Sequence, residues 1–199
     1  MDLVVLDGTK KYKLDYIKSL TRVKLEYFSG SLLLPLQHVT YLDCSFNKIT
    51  KLPELPNVTY LDCSNNKLTS LPDLPCVMRL NCSNNEIEYL PEMPEIEYLN
   101  CSYNAIDKIP SYSKLKTLNC WNSYVLELGN YPELEELDCK NNNLLKIPML
   151  EKLKYLNCSY NLLKELPNFP QLEKLICPEN KLKKLPKLKK LKFIYSDFS

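Results

Sequence analysis

Apolar residues recur along this chain with a period of 19 residues. The unit from Val58 to Cys76 reads V-T-Y-L-D-C-S-N-N-K-L-T-S-L-P-D-L-P-C. Its leucine column runs from Leu42 through Leu61, Leu80, Leu99, Leu118, Leu137 and Leu156 to Leu175. Two residues after each of these stands a cysteine, from Cys44 to Cys177, eight in all and never out of step. Val39, Val58, Val77, Ile96 and the leucines that follow them form a third apolar column. A fixed period of this length marks a unit stacked on copies of itself, because no single unit can bury a core alone.

The segment Leu-x-Cys alternates inward and outward, the period-two signature of a strand. One such strand per unit, always in the same register, predicts a parallel sheet. The other half of each unit is too short for a full helix. Prolines such as Pro72 and Pro75 fix φ there and remove backbone donors, so this half is expected to be extended and close to polyproline II. The column Asn47, Asn66, Asn85, Asn104, Asn142, Asn161 and Asn180 marks the bend off the strand, with Ser123 the exception. Its amides are expected to satisfy open backbone groups and to stack on one another.

The period extends past the cysteines. Ile194 and Ser196 continue it at one end; Leu20, Val23 and Leu25, then Met1, Val4 and Leu6, continue it at the other. That makes up to eleven strand positions. The run Val4 to Tyr12 also reads as a β-hairpin around Asp7-Gly8. The expected organisation is therefore 1–30 as degenerate repeats or a hairpin cap, and 31–199 as the solenoid.

Composition refines this picture. The chain has 199 residues, three glycines and fourteen prolines, so its turns rest on proline and asparagine. A net charge of +2 argues against a dedicated nucleic-acid or membrane binder. No apolar run approaches the roughly 18 residues of a membrane span. The start lacks the basic n-region of a signal peptide. Nine cysteines in such a chain read as reduced thiols in a cytoplasmic, reducing compartment.

The L-x-x-L-x-C-x-x-N-x-L skeleton, repeated eight times, resembles the leucine-rich repeat family over nearly the whole chain. The L-P-x-L-P ending is similar to the short subtype of bacterial effectors. The Leu-Asp-Cys-Ser-x-Asn word and the Lys/Asn/Tyr-rich composition are similar to leucine-rich repeat proteins of giant DNA viruses. The resemblance implies a curved horseshoe of about 10–11 repeats, with the sheet on the concave side and a protein partner bound there. It implies a host-interaction role, in the host cytoplasm, for a viral or injected protein. The helical N-terminal cap and the C-terminal ubiquitin-ligase domain of some effectors have no counterpart in this sequence.

The cysteine column follows an inward leucine by two and also points inward. Adjacent parallel strands lie about 4.8 Å apart, whereas a disulfide wants β-carbons near 3.8 Å. The thiols are therefore expected to act as small buried hydrophobes, with neither metal nor cofactor. Cys76 stands outside the column.

Three outward columns alternate with the buried ones. They hold Tyr41, Tyr60, Arg79, Tyr98 and Tyr155; then Asp43, Asp62, Asn81, Asn100, Asn119 and Asn157; then mostly serine, with Trp121 and Lys140. Tyrosine, serine and asparagine on a rigid frame suit recognition; they also serve simply to cover a sheet. One unit breaks the repeat: Trp121 replaces serine, Ser123 replaces asparagine and Gly129 replaces proline. Broken local rules point to functional sites, and tryptophan dominates binding hot spots. The expected partner surface is Trp121, Tyr98, Tyr103, Tyr124, Tyr155, Tyr60, Asn100 and Asn119.

Charge is uneven, with an acidic middle from Glu86 to Glu97 and seven lysines between Lys181 and Lys192. The lysines read as a solvated edge that discourages strand pairing. The sole histidine, His38, has no nucleophile at readable spacing, and three glycines cannot build a phosphate loop. The sequence thus favours a non-enzymatic protein-interaction scaffold. The alternative is a structural unit that self-associates through its ends.

Overall fold

A computed structural model describes residues 3–197; Met1 lies outside them. In chain order the elements are β1 (Val4–Asp7), α1 (Leu14–Lys18), β2 (Arg22–Glu26), β3 (Ser29–Ser31), β4 (Tyr41–Asp43), β5 (Lys48–Lys51), β6 (Tyr60–Asp62), β7 (Arg79–Asn81), β8 (Tyr98–Asn100), β9 (Lys108–Ile109), β10 (Thr117–Asn119), β11 (Glu127–Leu128), β12 (Glu136–Asp138), β13 (Tyr155–Asn157), β14 (Lys174–Ile176) and β15 (Phe193–Tyr195). Eleven of the strands form one parallel sheet in the order β1-β2-β4-β6-β7-β8-β10-β12-β13-β14-β15.

The register is that of the sequence repeat. Leu42 stands beside Leu61, Leu61 beside Leu80 and Leu80 beside Leu99. From Leu42 to Leu175 leucine thus stacks on leucine at each strand crossing, and the core is one continuous column of mostly leucine, isoleucine, valine and cysteine. The seven column cysteines from Cys44 to Cys158 are completely buried, Cys177 nearly so and Cys76 only partly, and all nine thiols are free. Leu55, Leu74, Met93, Tyr112, Tyr131, Leu150 and Phe169 close the core from the convex arm.

That arm is extended, as proline demands. Two short parallel pairs interrupt it, β3 with β5 and β9 with β11. The N-terminal segment does not form the hairpin that Asp7-Gly8 suggests. β1 lies parallel to β2, with Val4 beside Val23, so it is one more strand of the solenoid. Gly8 makes the turn after it, and a β-carbon there would lie 2.6 Å from the Tyr27 carbonyl oxygen. The one-turn helix α1, absent from the sequence reading, fills the convex side of this first coil and buries Ile17.

The asparagine column works differently from a side-chain stack. Asn66 Nδ2 donates to the Cys63 carbonyl of its own coil at 3.1 Å and to the Cys44 carbonyl of the preceding coil at 2.9 Å. Its Oδ1 accepts the Ile49 N–H, also in the preceding coil, at 2.9 Å. Asn85, Asn104, Asn161 and Asn180 repeat this pattern. The amides therefore bridge backbone to backbone and do not bond to each other. The residue just before them takes left-handed φ, near +55°, at Phe46, Asn65, Asn84, Tyr103, Asn122, Asn141, Tyr160 and Glu179. That sharp reversal turns the chain off the strand, at a backbone cost that the bridging amide offsets.

Candidate functional site

Each strand presents its first and third residues to the concave face. The third is Asp or Asn in most coils, for a local reason. Asp43 Oδ1 accepts the Ser45 N–H at 3.0 Å and the Ser45 hydroxyl at 2.7 Å, and Asp62 and Asn81 repeat this with Ser64 and Ser83. Such Asx turns satisfy the backbone where the strand ends. Asn100 and Asn119, read from the sequence as contact residues, are committed in the same way. Asn100 Oδ1 holds Ser102 and Asn119 Oδ1 holds the Trp121 N–H at 3.1 Å. Burial pushes the Asp138 carboxyl up, against the opposing pull of the Lys140 N–H and Asn157.

The first-residue column is a stack of planar groups. Tyr41 and Tyr60 lie face to face with centroids 4.4 Å apart. Arg22 caps Tyr41 at 4.9 Å and Arg79 lies over Tyr98 at 4.7 Å. Lys174 sits between Tyr155 and Phe193, 5.3 Å from each ring. Burial, then the neighbouring Tyr41 and Asp62, push the Tyr60 phenol up to about 12.

The broken unit produces a distinct cluster. The Trp121 ring tilts against Tyr103 at 4.8 Å, and Lys140 Nζ lies 5.2 Å from Trp121 and 5.7 Å from Tyr160. Tyr103, Trp121, Lys140 and Tyr160 thus span four successive coils. Tyr98 and Tyr155 stand on the strands either side of β10 and β12, and Tyr60 lies farther off on β6. Tyr124 does not join them. It lies past the bend with φ 62° and is two-thirds exposed. Lys140 and Tyr160 stand on the outward face in the sequence but were not among the expected contact residues, although Lys140 follows Trp121 by one period.

The other departures in this unit are absorbed by packing. Ser123 Oγ donates to the Cys101 carbonyl at 2.9 Å, and Asn142 Oδ1 accepts both the Ser123 and Val125 N–H groups. A β-carbon on Gly129 would lie 2.6 Å from the Pro110 backbone, so glycine allows the close approach. Tyr131 is completely buried; its hydroxyl donates to the Ile109 carbonyl and accepts the Gly129 N–H. Trp121 instead packs on the concave face, against Tyr103 and Lys140, and Tyr124 stands largely exposed.

A second concavity of about 760 Å³ opens at the N-terminal end of the same face. Tyr27 and Phe46 wall it, with Lys24, Glu26, Asp43 and Lys48 around them. Both aromatics are largely exposed and both have left-handed φ. Among the described residues, no group of three or more His, Cys, Asp or Glu side chains is placed to hold a metal. No described helix is long and apolar enough to cross a membrane.

The fold and this face define a parallel β-solenoid with an aromatic, Asx-lined concave wall. A model of tandem leucine-rich repeats matches residues 37–76. Among solved structures the chain is similar to YopM, a leucine-rich effector protein from Yersinia pestis, with 30% identity and a TM-score of 0.76. That match covers 86% of this chain and 53% of YopM. It is also similar to the functional domain of InlJ from Listeria monocytogenes, which includes a cysteine ladder, with 26% identity and a TM-score of 0.59. There 81% of this chain and 49% of that one are covered. The leucine-rich repeat domain of APL1B shares the fold at 20% identity, with a TM-score of 0.80 over 98% of this chain and 68% of that one. The chain spans about half the length of the YopM and InlJ structures it matches. No curated protein sequence matches it. The chain thus has the fold of a leucine-rich-repeat solenoid, with the repeats themselves matched at 37–76.

Proposed function

We infer that this chain is a non-enzymatic recognition scaffold whose concave face binds a partner protein around Trp121. The observation that carries this reading is the unit from Trp121 to Gly129. Its serine and glycine are accounted for by internal packing, whereas its tryptophan stands where most other coils carry a small serine and builds an aromatic cluster on the face. Tyr103, Trp121, Lys140 and Tyr160 form its centre, with Tyr98 and Tyr155 flanking. Large rigid rings in a preformed wall give contact area at low entropy cost. Asn100 and Asn119 contribute shape more than contact, because their amide oxygens are engaged in Asx turns, and Tyr60 lies three strands from β10. Likeness to an effector supports a host-interaction role.

The test is photo-crosslinking. A photoreactive residue at 121 should capture a discrete protein from host lysate, and the same residue at 126, on the convex arm, should not. With that protein purified, Trp121→Ala should weaken binding at least tenfold. Unchanged affinity would remove the reading.

A further inference from the structure

We propose that the convex arm of the last complete coil is a docking ridge for the phosphodiester backbone of nucleic acid, bound without regard to base sequence. The residues are 181–192, which read K-L-K-K-L-P-K-L-K-K-L-K. Leu182, Leu185, Leu188 and Leu191 recur every third position and pack against the core, as an extended three-per-turn arm requires. Every other position but Pro186 is lysine, and all seven lysines are exposed.

At two positions of the repeat on the solenoid flank, a lysine meets a glutamate one coil back. Lys114 pairs with Glu95, Lys116 with Glu97, Lys152 with Glu133 and Lys154 with Glu135, all within 2.8 Å. In the last coil Lys192 keeps such a partner in Glu173, and Lys190 Nζ meets only the neutral Gln171. Among the described residues, Lys181, Lys183, Lys184, Lys187 and Lys189 meet no carboxylate within 4.0 Å. The charge is segregated along the chain as well. Residues 1–180 carry 19 basic and 23 acidic side chains, whereas 181–199 carry seven and one.

Spacing decides what such a ridge binds. Five unpaired charges lie over roughly 25 Å of extended chain, at about 3.1 Å per residue. That is one charge per about 6 Å. Two unit charges in water reach thermal energy at about 7 Å, so the ridge repels itself and gathers counterions. A polyanion of still higher charge density relieves that cost by releasing ions from both surfaces. The arm carries lysine without arginine, and point charges suit phosphate contact better than bidentate reading of bases. Its leucines pack partly buried against the core, and the exposed Phe193, Ile194 and Tyr195 that follow lie on β15, off the ridge. A linear phosphate lattice fits a linear ridge; a bilayer does not need one.

The experiment is fluorescence anisotropy of the whole chain with a labelled 20-base-pair duplex of mixed sequence, repeated across salt concentrations. Binding should appear at about 50 mM salt, with a log–log salt slope near −4 to −5 for about five phosphate contacts. The quadruple variant Lys183→Gln, Lys184→Gln, Lys187→Gln, Lys189→Gln should bind at least tenfold more weakly, with a slope near −1. If that variant melts early, Lys187→Gln alone should lower the slope by about one. Trp121→Ala should leave duplex binding unchanged, which separates this site from the concave face. Absence of binding at low salt, or an unaltered slope in the variants, overturns the proposal. So does tighter association with anionic phosphatidylserine vesicles than with duplex, or sedimentation showing that the lysines instead join two copies of the chain.

Discussion

Asn104 ties two coils together: its Nδ2 donates to the Cys82 carbonyl, 22 residues upstream, at 3.0 Å. The same nitrogen serves the carbonyls of Cys101 and Ser102, and Oδ1 accepts the Ile87 N–H at 3.0 Å. Of these four groups the Ile87 N–H depends on this amide alone; Asn85 Nδ2 also holds the Cys82 carbonyl, Ser123 Oγ the Cys101 carbonyl and the Asn84 N–H the Ser102 carbonyl. Asn104→Ala leaves the Ile87 N–H unpaired, at about 1–3 kcal/mol, and takes one of two partners from each carbonyl. We expect a loss of about 2–3 kcal/mol in urea unfolding and a Tm lower by roughly 4–12 °C. Asn104→Ser should cost less, because Ser123 shows a hydroxyl holding one of these carbonyls. A loss below about 1 kcal/mol for the alanine variant would mean that the bridge is ornamental.

The residue before each bridging asparagine carries the opposite liability. Phe46 is four-fifths exposed and has φ 54°, a conformation that β-carbons resist and asparagine tolerates. Asparagine already fills this place at Asn65 and Asn84, where Asn84 Nδ2 donates to Asn65 Oδ1 at 2.6 Å. Phe46→Asn should extend that amide row by one coil and relieve the backbone. The expected gain is about 0.5–1 kcal/mol, or a Tm higher by roughly 1–4 °C. A lower Tm would show that the Phe46 ring contributes packing that its exposure hides.

Leucine and cysteine made the architecture legible because their columns depend only on side-chain size and period two. Leu42, Cys44 and their equivalents needed no partner to be placed. The left-handed row was illegible because Phe46, Tyr103 and Glu179 are not residues that announce positive φ. Asn66 was recognised as a bend residue, but its partners lie in the coil before it, and spacing along one chain does not show where an amide points. The hairpin at Asp7-Gly8 failed for a related reason: a turn word is local, whereas the stacking of Val4 on Val23 is not. Trp121 was visible as an exception. Its contacts with Tyr103 and Lys140 were not, since they join three coils.

Gly129 and Tyr131 form the second half of the irregular unit. Gly129 sits against Pro110 and Ser111, where any β-carbon would meet backbone at 2.6 Å. Backbone cannot swing aside as a side-chain tip does. Gly129→Ala should therefore cost more than about 2 kcal/mol, whereas Tyr131→Phe should cost about 1–2 kcal/mol by leaving the Ile109 carbonyl and the Gly129 N–H unpaired. Equilibrium unfolding of both variants checks the order. If Gly129→Ala proves the milder, the convex arm shifts at this point more freely than its close packing implies.

Seven buried thiols, Cys44 to Cys158, make the fold sensitive to alkali. Burial pushes each of them up, Cys82 to about 12 and the others also well above the ordinary thiol range. An unfolded cysteine ionises near pH 8.5. Below that pH both states hold their protons and the column contributes its full stability. Above it the unfolded chain sheds protons that the folded chain retains, so stability falls as pH rises. Each thiol costs about 1.4 kcal/mol at pH 9.5, and seven together about 10 kcal/mol, which matches the whole stability of an ordinary domain. Circular dichroism should show cooperative unfolding between about pH 9 and 10, with several protons released at once. Replacing Cys101 and Cys120 by alanine should move the midpoint upward despite the cavities left behind, because two ionisations are removed. At neutral pH a thiol reagent should label the half-exposed Cys76 promptly and the column only after denaturant is added. A fold that persists unaltered at pH 11 would mean that these sulfurs ionise in place, and that the column is wetter than its burial indicates.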